Sequence, residues 1–228
     1  FGEEIFLPHD SSNFYNPDNP SIVSSGSGDV VPLASNERQT IQGKITLKPY
    51  DKGKFNFSGF YQSRAYQDYD RQFKYNPLGN YQRLDGDFRG SIQFTHLFSA
   101  ETFITLNASQ GFTKYSQYVY EDWQDPRYVP LWYATGTGGN GFSTGGMKMW
   151  QHRRSNIDNI GKFDFTSQIT KDQKLGMGMS LKQGNLWLHE FWLYFDENSQ
   201  VQQPPDDSWY NNTYRHKPVE LTAYVQDK

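Results

Sequence analysis

Residues 161–182 read Gly161-Lys162-Phe163-Asp164-Phe165-Thr166-Ser167-Gln168-Ile169-Thr170-Lys171-Asp172-Gln173-Lys174-Leu175-Gly176-Met177-Gly178-Met179-Ser180-Leu181-Lys182. Gly161, Phe163, Phe165 and Ile169 fall on one face of an extended segment. Lys162, Asp164, Thr166 and Gln168 fall on the other. After the polar Lys171-Asp172-Gln173-Lys174 the pattern resumes, with Leu175, Met177, Met179 and Leu181 opposite Gly176, Gly178, Ser180 and Lys182. Successive side chains of a strand point to opposite faces, so period two with a short polar break spells a β-hairpin with one apolar and one polar surface.

The same text recurs outward in both directions. Ile41, Gly43, Ile45 and Leu47 alternate with Gln42, Lys44, Thr46 and Lys48; Phe55, Phe57 and Tyr61 with Asn56, Ser58 and Gln62. Ile92 and Phe94 alternate with Gln93 and Thr95, Ile104 and Leu106 with Thr105 and Asn107, and Val219, Leu221 and Val225 with Glu220, Thr222 and Gln226. Strands are expected near 41–49, 55–67, 86–97, 102–119, 159–170, 175–190 and 216–228, after a loop-like tail over 1–40. The fold class is therefore all-β, an antiparallel up-and-down meander of about seven long strands. Short turns at Tyr50-Asp51-Lys52-Gly53-Lys54, Phe98-Ser99-Ala100-Glu101 and 171–174 alternate with long connections near 68–85, 121–159 and 190–216. Long connections are uncommon in compact domains. Outer-membrane β-barrels, however, place short turns at one end and long loops at the other. Only the lipid-facing half of each such strand must be apolar. The composition agrees: 17% aromatic residues and only 35% hydrophobic ones in 228 residues, with a mean hydropathy of −0.85. Tyr50, Phe55 and Phe98 stand by the short turns, and Tyr66, Tyr69, Phe73, Tyr115, Tyr118 and Tyr120 toward the long loops, as girdles at two interfaces would. A soluble β-sandwich or carbohydrate-binding β domain remains the alternative, since half-buried soluble strands alternate too.

The absence of cysteine excludes disulfides, thiolate metal sites and a cysteine nucleophile. A net charge of −3 argues against a nucleic-acid partner. The five histidines show no metal-ligand spacing. No nucleophile–base–acid constellation stands out, and no cofactor is expected. Gly136-Thr137-Gly138-Gly139-Asn140-Gly141 matches a nucleotide-loop pattern without strand–helix context, which reads as a loop. His152-Arg153-Arg154 reads as a solvated loop face, able to touch lipopolysaccharide phosphates. The ligand-contact candidates are loop aromatics and their neighbouring charges: Trp123, Asp125, Arg127, Tyr128, Trp132 and Tyr133 in one connection, Trp192, Trp209 and Tyr210 in another. Such rings stack on sugars or planar chelates, or else pack the loops together.

Several stretches carry a family resemblance: Ser27-Gly28-Asp29-Val30-Val31-Pro32-Leu33, Ile41-Gln42-Gly43-Lys44-Ile45-Thr46-Leu47, Thr95-His96-Leu97-Phe98-Ser99-Ala100-Glu101-Thr102-Phe103, Asp125-Pro126-Arg127-Tyr128-Val129, 161–170 and 216–228. In this order and spacing they resemble the barrel region of TonB-dependent outer-membrane receptors, of the group with a carboxypeptidase-regulatory-like N-terminal domain. The resemblance implies a 22-stranded barrel filled by a plug, and energy-coupled import of a scarce ligand through the TonB complex. It also implies residence in the bacterial outer membrane among lipid and lipopolysaccharide. The chain shows no plug or TonB-box text, an odd strand count, and an end at Lys228 within a strand. It is thus expected to be an internal barrel segment whose partners include the plug and remaining strands of the same chain. A passive porin or adhesin barrel is the other membrane reading.

Overall fold

The computed structural model describes residues 2–3, 30–74, 76–128, 146–197 and 200–227. In chain order its strands are β1 (Gly2–Glu3), β2 (Val30–Val31), β3 (Ser35–Tyr50), β4 (Gly53–Gln67), β5 (Gln82–Leu97), β6 (Thr102–Tyr118), β7 (Trp150–Gln168), β8 (Lys174–Trp192), β9 (Tyr194–Phe195), β10 (Val201–Gln202), β11 (Asn211–His216) and β12 (Val219–Asp227). β3 to β8 pair with their chain neighbours, all antiparallel, and β11 and β12 both pair with the far edge of β8. β1 pairs with β2 and β9 with β10 in two small ribbons.

β11 and β12 are one strand in register. His216 lies opposite Leu186 and Val219 opposite Gln183, so neither side gains a residue across Lys217-Pro218. Proline has no N–H to give the ladder. Its carbonyl still accepts from Gly184 N at 2.8 Å. A β-carbon on Gly184 would stand 2.9 Å from Pro218 Cγ, so a glycine is needed opposite this ring. The meander is thus seven strands wide.

Register turns the sequence alternation into rows that cross the sheet. Leu47, Phe55, Phe94, Leu106, Phe163, Met179 and Ala223 are successive partners on one face. The next row on that face is Ile45, Phe57, Ile92, Ala108, Gly161, Leu181 and Leu221. The intervening row on the opposite face is Thr46, Asn56, Gln93, Asn107, Lys162, Ser180 and Thr222. Polar side chains there bond to one another: Thr46 Oγ1 donates to Asn56 Oδ1 (2.8 Å), and Asn56 Nδ2 to Gln93 Oε1 (2.9 Å). Ser58 and Ser91 share a bond of 2.6 Å in the adjoining row. One row of the apolar face departs from the pattern. Gly43, Gly59 and Gly90 continue into Gln110, Asn159 and Gln183, and Gln110 Nε2 donates to Asn159 Oδ1 at 2.8 Å.

No second layer covers the apolar face among the described residues: Ile45 is 62% exposed, Leu106 42% and Leu221 69%. The buried hydrophobic residues, Phe73, Tyr81, Tyr118, Val119, Tyr128, Met147, Phe191 and Leu193, lie instead at the end of the long connections. The core of this unit is its loop end, not the centre of its sheet.

Strands run further toward that end than the alternation marks. β3 starts at Ser35 rather than near 41, β5 at Gln82 rather than 86, and β7 at Trp150 rather than 159. The seventh strand starts at Asn211 rather than 216. Apart from Leu84 and Ile157, both faces of these extensions are polar or aromatic, as in Gln151-His152-Arg153-Arg154-Ser155-Asn156, so no period-two contrast announces them. His152, Arg153 and Arg154 therefore belong to β7 and not to a loop. At the other end β7 stops at Gln168, leaving Ile169 in the turn, where its N–H donates to Gln173 O at 2.9 Å.

Candidate ligand-binding rim

The long connections fold onto one another. Phe73 closes a 3-10 turn over Arg71–Phe73, started by Asp70, whose side chain accepts from Gln72 N. Asp70 also receives Lys148 Nζ at 2.6 Å, tying the β4–β5 connection to the segment before β7. Burial tends to raise the Asp70 carboxyl, but hydrogen bonds and the Lys148 charge outweigh it and the net shift is downward. Fully buried Asn76 donates to Gly146 O at 2.6 Å, and Lys148 N donates to Gly79 O at 3.0 Å. A β-carbon on Gly79 would run into that Gly146 carbonyl. Gly146 has φ of 73°, in the region glycine favours.

Beside this lies the main cluster, Tyr81, Val119, Tyr128, Met147, Phe191 and Leu193, with Tyr120, Trp123, Met149 and Trp150 against it. Tyr128 is its hydrogen-bonding centre. Its hydroxyl donates to Tyr120 O (3.0 Å) and accepts from Tyr120 N (3.0 Å) and Gln151 Nε2 (2.9 Å). Burial pushes the phenols of Tyr81 and Tyr128 up to about 12.

Trp123 is half-buried against the cluster. Asp125 takes both arms of the Arg127 guanidinium (2.9 and 2.7 Å), which sits 4.0 Å over the Tyr120 ring. That bidentate bond, foremost, holds the Asp125 carboxyl below its usual range and lifts Arg127. Trp132 and Tyr133 lie outside the described residues, as does the glycine stretch 136–141.

Trp192, Trp209 and Tyr210 do come together. They line a hollow of about 210 Å³ with Trp150, Glu190 and Asn212. Trp209 is fully exposed (102%), Trp192 51% and Tyr210 66%. Trp192 N donates to Tyr210 O at 2.9 Å, fastening the turn that carries Trp209 to the end of β8. Trp150 and Trp192 are cross-strand partners with near-parallel rings, 6.1 Å apart at 22°. One row inward, Glu190 bonds to His152 Nδ1 at 2.8 Å and accepts from Asn212 Nδ2 at 3.1 Å. Trp150, Glu190 and Asn212 were not marked by the sequence. Their only signal is strand parity, Trp150 with His152 and Glu190 with Trp192, and parity becomes a site only when the β7–β8 register is known. A larger hollow of about 630 Å³ follows on the same face, lined by Asp85, Asp87, Tyr115, His152, Arg154, Leu188 and Tyr214 among others.

Comparison with family models and with curated proteins gives no match. Among solved structures, the chain is similar to the ferric yersiniabactin uptake receptor FyuA from Yersinia pestis, at 12% identity and a TM-score of 0.43. The similarity covers 85% of this chain and 25% of that one, so the chain spans about a quarter of the receptor's length.

Proposed function

We propose that the chain is a wall segment of an outer-membrane β-barrel, of the TonB-dependent receptor type that its sequence resembles, with the long-connection end as the extracellular mouth. One observation carries the reading. Across seven strands an unpacked apolar surface, interrupted by the one row that holds Gln110 and Asn159, backs onto a hydrogen-bonded polar surface. In water, an exposed apolar face of this extent calls for a second layer. In a bilayer, lipid covers it while the polar face meets a wet lumen. The apolar rows from Ile104 to Phe112 span about 27 Å of strand at about 3.4 Å per residue. A tilt of about 40° reduces that to about 20 Å of depth, close to the apolar band of such barrels.

On this reading the partners are lipid and lipopolysaccharide outside, a plug inside, and further strands of the same chain on the outer edges of β3 and β12, which are unpaired among the described residues. The rim residues Trp192, Trp209 and Tyr210 contact the arriving ligand, and the TonB complex energises its passage. The chain performs no catalysis. Fractionation tests the location: the full chain should sediment with outer membranes and need detergent for release. Loss of uptake on deleting the energising complex separates a receptor from a porin. A chain that stays soluble without detergent would falsify the proposal.

A further inference from the structure

Resting on the reading of the apolar face as the lipid-facing one, the row that breaks it points outward from the barrel. On β6 that face carries Ile104, Leu106, Ala108, Gln110 and Phe112 in turn, so Gln110 stands between apolar rows on both sides. It lies one step from Ala108, about 5 Å of depth from the middle of the apolar band. Asn159 and Gln183 continue the row on β7 and β8, and all three are exposed. Gln110 Nε2 donates to Asn159 Oδ1. Gln110 Oε1, Asn159 Nδ2 and the whole Gln183 amide have no hydrogen-bond partner among the described residues. Water satisfies such groups at an ordinary surface, whereas hydrocarbon offers nothing in exchange.

Beside the amides the surface is low. Ala108 and Gly161 floor a hollow of about 460 Å³ rimmed by Phe94, Leu106, Phe163 and Leu181. A β-carbon on Gly161 would meet nothing within 4 Å, so no neighbour in this chain requires glycine there. At Gly178 and Gly184, by contrast, a β-carbon would strike Tyr224 and Pro218. The ladder through Gly161 is unbroken on both sides, so the glycine serves no bulge. The remaining use of a glycine inside a strand is close approach by something from outside.

Symmetry selects the occupant. Two copies in one membrane share the same inside and outside, so a two-fold axis relating them runs along the bilayer normal. Each depth of one copy then meets the same depth of the other. A charged row would repel itself there, and a row of donors alone would stay unsatisfied. An amide carries donors and an acceptor together, so a row of amides is its own complement, as a two-fold contact demands. Two convex walls touch along a narrow strip, and the amides span three strands, about 10 Å. We infer that the outer face of β6, β7 and β8 is a homodimer contact. Gln110, Asn159 and Gln183 of each copy bond across the axis, and the low floor of Ala108 and Gly161 lets the two sheets approach.

The test uses the full chain in native outer membranes and in phospholipid vesicles. Asn159→Cys should give a dimer with a short bis-maleimide in intact membranes. Leu47→Cys, on the same face but on β3, and Asn107→Cys, on the polar face, should not. Association is then read by single-molecule photobleaching over a range of chain-to-lipid ratios. Gln110→Leu, Asn159→Leu and Gln183→Leu combined suit lipid better than the native row. They should nonetheless weaken association about tenfold or more, the scale of a few hydrogen bonds inside a bilayer. Gly161→Phe raises the floor where its own chain leaves a β-carbon room, and should weaken association at least as much. Both variants should still reach the outer membrane. A native chain that stays monomeric at every ratio overturns the contact, as does undiminished association in both variants. A cross-link from position 159 to a protein of another mass overturns the second copy as occupant. Absence of the chain from outer membranes is the separate failure of the barrel reading on which the contact rests.

Discussion

An arginine scan along β6 tests the two faces most directly. Ala108 lies in the middle of the apolar rows that run from Ile104 to Phe112, and Leu106 lies one row toward the short turns. One row is about 7 Å of strand, or about 5 Å of depth at a tilt of about 40°. Arginine at the bilayer midplane costs about 2–4 kcal/mol, falling to about 0–1 near the interface. The depth scale then gives about 3 kcal/mol for Ala108→Arg, about 2 for Leu106→Arg and about 1 for Ile104→Arg. Asn107 points to the polar face between Gln93 and Lys162, where Asn107→Arg should stay within about 0.5 kcal/mol. The assay is denaturant unfolding of the full chain in phospholipid vesicles. There Leu106→Arg should lower the folding equilibrium roughly 30-fold, since 1.4 kcal/mol is tenfold. Equal costs at positions 106 and 107, or a flat profile along 104, 106 and 108, would refute the two-solvent reading of the sheet.

Gly184→Ala should destabilise by about 1–3 kcal/mol through contact with the Pro218 ring. Most of that should vanish in a Pro218→Ala background, whereas strict additivity in the cycle would show that the two sites do not touch. Tyr128→Phe takes the hydroxyl donor from Tyr120 O and the hydroxyl acceptor from Tyr120 N and Gln151 Nε2. It should cost about 1–3 kcal/mol and speed proteolysis between β6 and β7, with the sheet's amide protection unchanged. The Asp125 carboxyl is held below its unfolded value, so its contribution is present above about pH 4 and lost as pH falls through the folded value. Amide protection around 119–128, taken relative to the intrinsic exchange rate at each pH, should therefore fall on acidification, and Asp125→Asn should be loosened already at neutral pH with a flatter profile. Gly79→Ala drives a β-carbon into the Gly146 carbonyl, so it should detach the β4–β5 connection, seen as protease cleavage near 71–80.

Much of this architecture is local and therefore written in the chain. Alternation such as Phe163-Asp164-Phe165 decides strand and face together, because a strand's side-chain period is two whatever it pairs with. The contrast between Asp51-Lys52 turns and connections of tens of residues decides which end is the rim. Leu106 and Leu221 on one face, with Asn107 and Thr222 on the other, follow from parity alone, and the register bears this out.

What parity does not carry is register, and the rim depends on it. Trp150 meets Trp192, and His152 meets Glu190, across some forty residues of chain. A shift of two residues would keep every face and part both pairs. The true starts of β3, β7 and β11 were hidden for a related reason: near the rim both faces are polar or aromatic, so the chain shows no contrast to read. The loop aromatics divided on packing, which is non-local. Tyr128 was drawn into the cluster by three hydrogen bonds, and Trp123 was packed against it. Trp192, Trp209 and Tyr210 were left in the open. Composition alone ranks all five alike. Only the tertiary structure separates side chains that hold the rim together from those left exposed, because burial depends on what the other loops bring.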